Sequence, residues 1–403
     1  MSTKINSTAF INTLAIIVGV PLSLTRAIGL GLELVPTSLY YLLWSGLALG
    51  TIGRQVRISW PHFFLILIAL FSILLNKVDA VFQAEYRLLS FSIMLMAIGG
   101  LNQSPTSVAF RSSLFRALNL TLVALTVMSF ILYPLKLPLL FHPNGLYKGL
   151  LNHSMLLGPI AGLSALLNLF SSLYPKRKIK LRLWISIITA IISLLTLLLS
   201  GSRGALLSVF IGIVVLLYKR YSHQKIKLFK TSSLVIIALL LSSPIWYPYT
   251  EQVRLKQERN LDAGGTFHSR ERIWEDRWRE FKYSPILGSG FASMNKDLIK
   301  GETTNNERGG VEPGSSWLFL LSSIGILGFV SFLIIVARPW FKMLVQSREK
   351  HFTTSQPLML SVTSMLFSHM FLEGYVLSSG SFLFLYLWLC IGLLSDSRSI
   401  LAK

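Results

Sequence analysis

Long apolar runs constrain the fold of this chain more than any other feature. Crossing roughly 30 Å of hydrocarbon takes a helix of about 20 apolar residues, and several runs approach that length. Lipid offers the backbone no hydrogen-bond partners, so each run should be a helix, and the runs lack the alternation of barrel strands. Only 14% of the 403 residues are charged, against about 25% in soluble domains. The sequence therefore predicts an all-α polytopic membrane protein with about 12 transmembrane helices.

The predicted spans follow the apolar runs and divide the chain into three parts. The spans are residues 9–30, 32–53, 61–76, 87–102, 112–134, 152–172, 181–200, 204–220, 231–247, 317–337, 357–376 and 378–396. Residues 1–247 hold spans one to nine, and residues 248–316 form one large polar loop with short helices. Residues 317–403 hold spans ten to twelve and a tail.

Basic residues predict which side of the membrane each loop faces. If the N-terminus is cytoplasmic, the loops on its side hold 21 of the 38 lysines and arginines and only two acids, Glu349 and Asp396. Such an excess is typical of cytoplasmic loops. We therefore expect both termini in the cytoplasm and the large loop on the opposite side, which is periplasmic or extracellular. This topology explains the net charge of +21, and no aromatic-interleaved basic patch predicts a nucleic-acid partner.

One segment of the large loop has helical periodicity, HSRERIWEDRWREFKY at residues 268–283. Its aromatic residues recur at one-turn spacing and form an apolar face flanked by Arg270 and Arg277. The residues of that face are Trp274, Trp278 and Phe281. The segment is interpreted either as an amphipathic helix lying on the membrane or as one that aims arginines at a lipid-linked substrate, and the two are compatible. The proline and glycines of the following SPILGSG predict a sharp turn.

Another arginine, Arg203, lies in SGSRGALLS between the seventh and eighth spans. An arginine so near hydrocarbon is costly unless it is paired or faces water. Snorkelling to the outer headgroups is one explanation. The other is phosphate binding, because a guanidinium holds two phosphate oxygens at once. Gly201 and Gly204 would let a bulky headgroup approach the backbone.

Together, SGSRGALLS and SRERIWEDRWREFKYSPILGSG resemble the O-antigen ligase and polymerase superfamily, a group of bacterial membrane glycosyltransferases. The resemblance implies a fold like that of the type C glycosyltransferases. It implies metal-independent, inverting transfer of undecaprenyl-diphosphate-linked glycans at the inner membrane, with no cofactor. Arg203 and Arg270 match the two family arginines, and Trp274 and SPILGSG follow as in the family pattern.

The chain departs from the ligase pattern after the large loop. Ligases of this family carry a His–Asn pair before the next helix, and that position falls near Gly314 and Ser315, where there is no histidine. Glu312 and His153 are the remaining candidates for a base that deprotonates the acceptor hydroxyl. Each also has a structural explanation. Glu312 would be a solvated loop acid, and His153 would be an interfacial residue at a helix start.

Further residues are predicted to bind the diphosphate or the glycan. His369 and Glu373 lie four residues apart near the outer end of the eleventh span, where an ionisable residue is a functional candidate. A structural hydrogen bond between helices explains them equally well. The other candidates are Arg272, Arg277, Lys148, Trp274 and Trp317. No DxD pair or histidine cluster in the loop predicts a metal site.

The missing histidine favours a polymerase, which joins lipid-linked repeat units, over a ligase, which transfers glycan to lipid A–core or protein. A lipid-linked-oligosaccharide flippase or other transporter is a third hypothesis. It requires charges along a path through the membrane, whereas Arg26, Glu33, Arg203 and Glu373 are all predicted near the outer edge. The expected partners are an undecaprenyl-diphosphate-linked donor, a glycan or lipid A–core acceptor and membrane lipid. A chain-length regulator protein is compatible with this set.

Overall fold

A computed structural model describes most of the chain, and its secondary structure is mainly helical. The described residues are 9–29, 35–52, 57–76, 84–143, 145–175, 180–222, 224–262, 265, 268–295, 297–298, 304–305, 310–311, 313–345 and 356–401. The long helices are α1 (Ala9–Leu24), α2 (Thr37–Gly50), α3 (Trp60–Leu75), α4 (Ala84–Ala97), α5 (Pro105–Leu132), α6 (Ser154–Leu173), α7 (Lys180–Leu199), α8 (Arg203–Tyr221), α9 (Lys225–Leu241), α10 (Glu251–Asp262), α11 (His268–Tyr283), α12 (Ser316–Val345), α13 (Gln356–His369) and α14 (Phe382–Leu401).

Each of the twelve segments predicted to span the membrane overlaps one of these helices. Five are long and apolar enough to cross a membrane: α5 with its 3-10 extension to Leu135, α6, α7, α8 and α12. Three more, α1, α3 and the Phe382–Asp396 part of α14, are apolar but shorter. The chain is thus consistent with a polytopic membrane protein, and the count of twelve spans stays a prediction. In the large loop, α10, α11 and a hairpin of Thr304–Asn305 with Gly310–Val311 are present.

The helices pack closely where small residues face bulky ones. Gly162 in α6 lies against Val209 of α8 and Met365 of α13, and Gly212 in α8 lies against Met365 and Leu166. Small residues at such crossings let helix backbones approach each other, which replaces the hydrophobic driving force that lipid cannot supply. Much of α14 is buried on all sides, so this helix lies at the centre of the bundle.

A break in α12 receives the turn that follows α11. Gly325 has φ 62° and ψ −168°, a conformation that favours glycine, and an added Cβ would collide with the turn's backbone. Across the break, the Ser289 amide donates to the Ser322 carbonyl at 2.7 Å and the Ile326 amide donates to the Pro285 carbonyl at 2.9 Å. The SPILGSG turn thus satisfies backbone groups that the broken helix leaves open, as buried non-helical backbone requires.

At one end of the bundle, a buried ion pair connects α5 with α14. The fifth helix begins at Pro105, capped by Ser104, and not at residue 112 as predicted, so Arg111 lies inside α5 and not in a loop. Its guanidinium donates to both carboxylate oxygens of Asp396 in α14, at 2.9 and 2.6 Å, and both side chains are buried. The pair joins two helices that are far apart in sequence.

Candidate functional site

The turn between α7 and α8 positions Arg203 as the first residue of α8. Gly201 reverses the chain with φ 62°, and the Ser202 hydroxyl caps the helix by accepting from the Ala205 amide at 3.4 Å. The half-buried Arg203 donates from Nη1 to the amide oxygen of Gln257 in α10. A helix of the large loop therefore lies over this turn, and its contact with Arg203 is to a neutral group.

Arg270, on the first turn of α11, contacts residues more than forty positions later in the sequence. Its Nη2 lies 2.5 Å from Oε1 of Glu373, and its Nη1 donates to the Gly314 carbonyl at 3.1 Å. The side chain keeps 17% of its surface exposed. The positive charges of Arg203 and Arg270 lie close enough to repel each other. The structure thus brings together the two arginines that the motifs singled out.

The loop after α13 holds Glu373 in place. The prediction extended this span to residue 376, but α13 ends at His369 and Glu373 lies in the loop beyond it. The Ser316 hydroxyl donates to the Glu373 carbonyl at 2.7 Å and accepts from the Tyr375 amide at 2.9 Å. The start of α12 therefore fixes the backbone of this loop, and Glu373 reaches Arg270 from a rigid position.

His153 caps α6, and its hydrogen bond sets the position of its proton. Its Nδ1 accepts from the Met155 amide at 3.0 Å, so the neutral ring carries its proton on Nε2. Burial lowers the pKa of His153, and His142, Lys256 and Lys148 lower it further. While it caps α6, His153 can donate from Nε2–H. It cannot act as a base, because the lone pair on Nδ1 accepts from the Met155 amide.

Two cavities adjoin at this end of the bundle. One, the His153 cavity, measures about 240 Å³ and is lined among others by Arg26, His153, Glu373 and Ser381. The other, the Arg87 cavity, measures about 420 Å³. Its lining includes Arg26, Tyr41, Tyr86, Arg87, Ser379 and Ser381. Arg26 and Ser381 line both, so the two spaces share a boundary.

Arg87 is the residue that sequence reasoning missed. It lies on the first turn of α4, which begins at Ala84, three residues before the predicted start of this span. An arginine near the end of an apolar run is a functional candidate on the same grounds as Arg203. The signal was therefore present, although nothing local connects Arg87 to Arg26 or to the serines after α13.

The buried face of α11 differs from the predicted one. Asp276, Arg277 and Glu280 point inward, whereas Trp278 of the predicted apolar face is 45% exposed. Arg277 pairs with Glu280 at 2.7 Å, and Glu280 accepts from the Asn295 amide at 2.8 Å. Burial raises the pKa of Glu280, which Arg277 opposes. Arg277 lines neither cavity, and its partner Glu280 ties α11 to the segment after the SPILGSG turn through Asn295.

The other predicted site residues are dispersed. Trp317 donates to the Phe367 carbonyl at 3.1 Å within a cluster of aromatic rings, and Trp274 packs beside Gly314. His369 is fully buried next to the Tyr375 ring. The remaining candidates are Arg272, which is exposed, Lys148, which is half-buried near His153, and Glu312, which lies outside the described residues.

Comparison with known families identifies the segment that carries the arginine pair. Residues 188–333 match the family described as O-Antigen ligase. The match runs from α7 into α12, so it includes Arg203, Arg270 and the broken helix. No curated protein matches the chain significantly. The matched segment contains both arginine motifs, and over these residues the chain is similar to the O-antigen ligase family.

Proposed function

We propose that this protein is an inverting membrane glycosyltransferase that polymerises undecaprenyl-diphosphate-linked glycan units at the periplasmic face of the bacterial inner membrane. The observation that carries the proposal is the convergence of Arg203 with Arg270, which is paired with Glu373 in the lining of the His153 cavity. The two come from separate helices, and each lies in a motif of the superfamily. A site with two clustered guanidinium groups suits a substrate with two phosphates.

The proposed reaction exchanges one bond to the anomeric carbon of the donor sugar for another. The bond from that carbon to the phosphate oxygen breaks, and a bond from the acceptor oxygen forms. The diphosphate leaves with a growing negative charge, which Arg203 and Arg270 would stabilise. Positioned donors of this kind are often the largest single contribution to catalysis. The Nε2–H of His153 would add a neutral donor to the same cavity.

We assign the acceptor's proton to Glu373 in this scheme. Its carboxylate lines the His153 cavity and is paired with Arg270 at 2.5 Å. A donor diphosphate on Arg270 would compete for this pair and leave the carboxylate next to the attacking hydroxyl. General bases must lie within hydrogen-bond reach of the proton they remove. His153 lacks the free lone pair for this role while it caps α6.

The position at which ligases carry histidine supports a polymerase. Gly314 has φ 70°, its carbonyl binds Arg270, and an added Cβ would lie 2.6 Å from Cγ2 of Ile273. A side chain at this position would have to displace α11 and with it Arg270. This chain therefore uses the position to hold an arginine by its backbone. A ligase that uses another acceptor base is the alternative function.

The test is a gel of surface polysaccharide from cells whose own gene is replaced by variants. Arg203→Gln and Arg270→Gln should abolish long-chain glycan. Arg254→Gln, an exposed α10 arginine bonded to Tyr247 at 2.9 Å, is the matched control and should leave it unchanged. Accumulated single-repeat material would indicate a polymerase, and lipid-linked polymer beside bare core a ligase. Normal long-chain glycan in both test variants would refute glycosyl transfer at this site.

A further inference from the structure

We propose that the Arg87 cavity is a second anion site, which holds a phosphate or carboxylate of the acceptor substrate. The inference rests on the proposed glycosyl transfer and adds the place of the second substrate. The donor diphosphate would occupy Arg203 and Arg270. The acceptor would bind by its own anionic group about Arg26 and Arg87, on the other side of a boundary that the two cavities share.

The charge of the Arg87 cavity favours an anion. Arg26 and Arg87 contribute two positive charges, and none of the described residues that line the cavity is acidic. Hydroxyl groups make up most of the other polar lining, from Thr37, Tyr41, Tyr86, Ser90 and the serines after α13. Guanidinium forks with hydroxyl donors bind phosphates and carboxylates. A volume of about 420 Å³ is in the range of small-molecule sites.

Arg26 is positioned before any ligand binds. Its guanidinium lies 4.5 Å from the Tyr40 ring centre and 5.6 Å from that of Tyr41, and its Nη2 donates to the Thr37 hydroxyl at 3.0 Å. The Asn152 side chain fixes its backbone by donating to the Arg26 carbonyl at 2.6 Å. Of the described residues, no carboxylate forms an ion pair with Arg26. A held cation facing neutral groups is arranged to receive an anion.

The loop after α13 completes the cavity and leaves room for Arg26. The Ser379 hydroxyl lies between those of Ser90 at 2.7 Å and Tyr41 at 3.2 Å. A Cβ on the next residue, Gly380, would lie 2.2 Å from Nη1 of Arg26. Any side chain at Gly380 would therefore move the guanidinium group. Because that group is the end of a flexible side chain, the fold can tolerate the shift.

The shared boundary explains how two anionic substrates can react while their charged groups stay apart. Arg26 and Ser381 line both cavities, and Glu373 lines the His153 cavity just beyond them. An acceptor held by its charge in the Arg87 cavity can extend a neutral sugar hydroxyl across this boundary. The hydroxyl then meets Glu373 and the donor's anomeric carbon, while the two anionic groups stay on separate arginine pairs.

The first test counts diphosphate sites on the purified full-length protein by calorimetry with inorganic diphosphate. We expect two sites in the wild type. One should remain in Arg203→Gln/Arg270→Gln and one in Arg26→Gln/Arg87→Gln, with wild-type melting temperatures as the control for folding. A single site in the wild type, or two sites in the Arg26→Gln/Arg87→Gln variant, would overturn the proposal.

The second test moves the Arg26 guanidinium without removing its charge. Gly380→Ala should raise the KM for the acceptor about tenfold and leave the KM for the donor unchanged, since one charged hydrogen bond is disturbed. Gly46→Ala is the matched control, because a Cβ at this α2 glycine meets nothing within 4 Å. An unchanged acceptor KM in Gly380→Ala and in Arg26→Gln would overturn the proposal.

Two acceptors tested with Arg26→Gln distinguish which anionic group of the acceptor the Arg87 cavity binds. One is a lipid-linked unit that keeps its diphosphate, and the other is a glycan whose only anion is a sugar phosphate. A raised KM with the first identifies a polymerase acceptor, and with the second a ligase-type acceptor. If Arg203→Gln and Arg270→Gln stop transfer while Arg26→Gln leaves both KM values unchanged, the second site fails alone. If none of the three variants affects transfer, the proposed function fails.

Discussion

Two arginines at opposite ends of the bundle are held in contrasting ways. Arg111 is fully buried, and its three nitrogens donate to Asp396, to the Ser107 hydroxyl at 2.7 Å and to the Asn102 carbonyl at 2.9 Å. Arg270 is partly exposed, with one carboxylate oxygen and one carbonyl as its partners. The central helix α14 separates the two ends by roughly 21 Å between Phe382 and Asp396 at 1.5 Å per residue.

The difference separates a structural arginine from one that can bind a ligand. A buried ion pair in which every guanidinium nitrogen is hydrogen-bonded gains little by exchanging partners, and it is costly to break. Arg270 is paired with Glu373, which lines the His153 cavity, and its charge repels that of Arg203, so an incoming anion would relieve that repulsion. Whether an arginine is buried and fully hydrogen-bonded thus predicts its function better than its mere presence in an apolar segment.

Breaking the Arg111 pair should have the largest effect, and it should be an effect on folding. Arg111→Met leaves Asp396 buried without a counter-charge, which costs about 3–5 kcal/mol. Thermal unfolding in detergent would show this as a lower melting temperature. Arg111→Met/Asp396→Leu should regain most of the loss, because a well-packed apolar pair can replace a buried ion pair. A double variant as unstable as the single one would refute the structural role.

Removing Arg270 should affect the reaction and leave folding nearly intact. Arg270→Gln should lower the rate of glycan transfer by about 10²–10³, the usual loss of one transition-state donor. Initial rates in proteoliposomes and melting temperatures would be measured together. Arg270→Met/Glu373→Leu should remain inactive, in contrast to the rescue expected at Arg111. Recovered activity in that double variant would show that the Arg270 pair is structural as well.

Neutralising Glu373 tests the proposed base. Glu373→Gln keeps the shape of the side chain and a carbonyl oxygen for Arg270 but cannot accept the proton. Transfer should slow by about 10², the lower range for general base catalysis. Gln257 faces Arg203 across the same site, and Gln257→Glu serves as the comparison variant that adds a carboxylate. A wild-type rate in Glu373→Gln would assign the proton to another group.

The smallest expected effect is a change in how stability depends on pH, and it concerns His153. Burial lowers the pKa of His153 below its ordinary 6.5, so the folded state resists protonation that the unfolded state accepts. His153 therefore contributes stability above about pH 6.5, and this stability is lost as the pH falls below it. Melting temperatures between pH 8 and 5 should fall less steeply in His153→Gln than in the wild type. Parallel curves would contradict a shifted pKa.

The sequence predicted those features that rest on local rules. Apolar runs of this length must be helical in lipid, and a helix is present in every predicted segment. The glycines of SPILGSG predicted the turn, and the two arginine motifs predicted residues that do lie together. Each of these signals is contained in a short stretch of chain.

The features that were missed depend on contacts between distant residues. Arg87 reaches the Ala292 carbonyl at 3.1 Å, and Arg270 reaches Glu373, across separations of 205 and 103 residues. The periodicity of α11 indicated an aromatic packing face, but the tertiary fold buries Arg277 and Glu280 as an ion pair. Helical spacing gives the faces of a helix, and only the neighbouring elements decide which face is covered.

The most direct test of the arginine pair is a single-turnover measurement with donor already bound to the purified protein. It separates the chemical step from binding, since the reaction starts on adding acceptor. Arg203→Gln/Arg270→Gln, with a wild-type melting temperature, should transfer glycan at least about 10²-fold more slowly than the wild type. A single-turnover rate within about twofold of the wild type, a difference of only about 0.4 kcal/mol, would show that these arginines do not stabilise the leaving diphosphate.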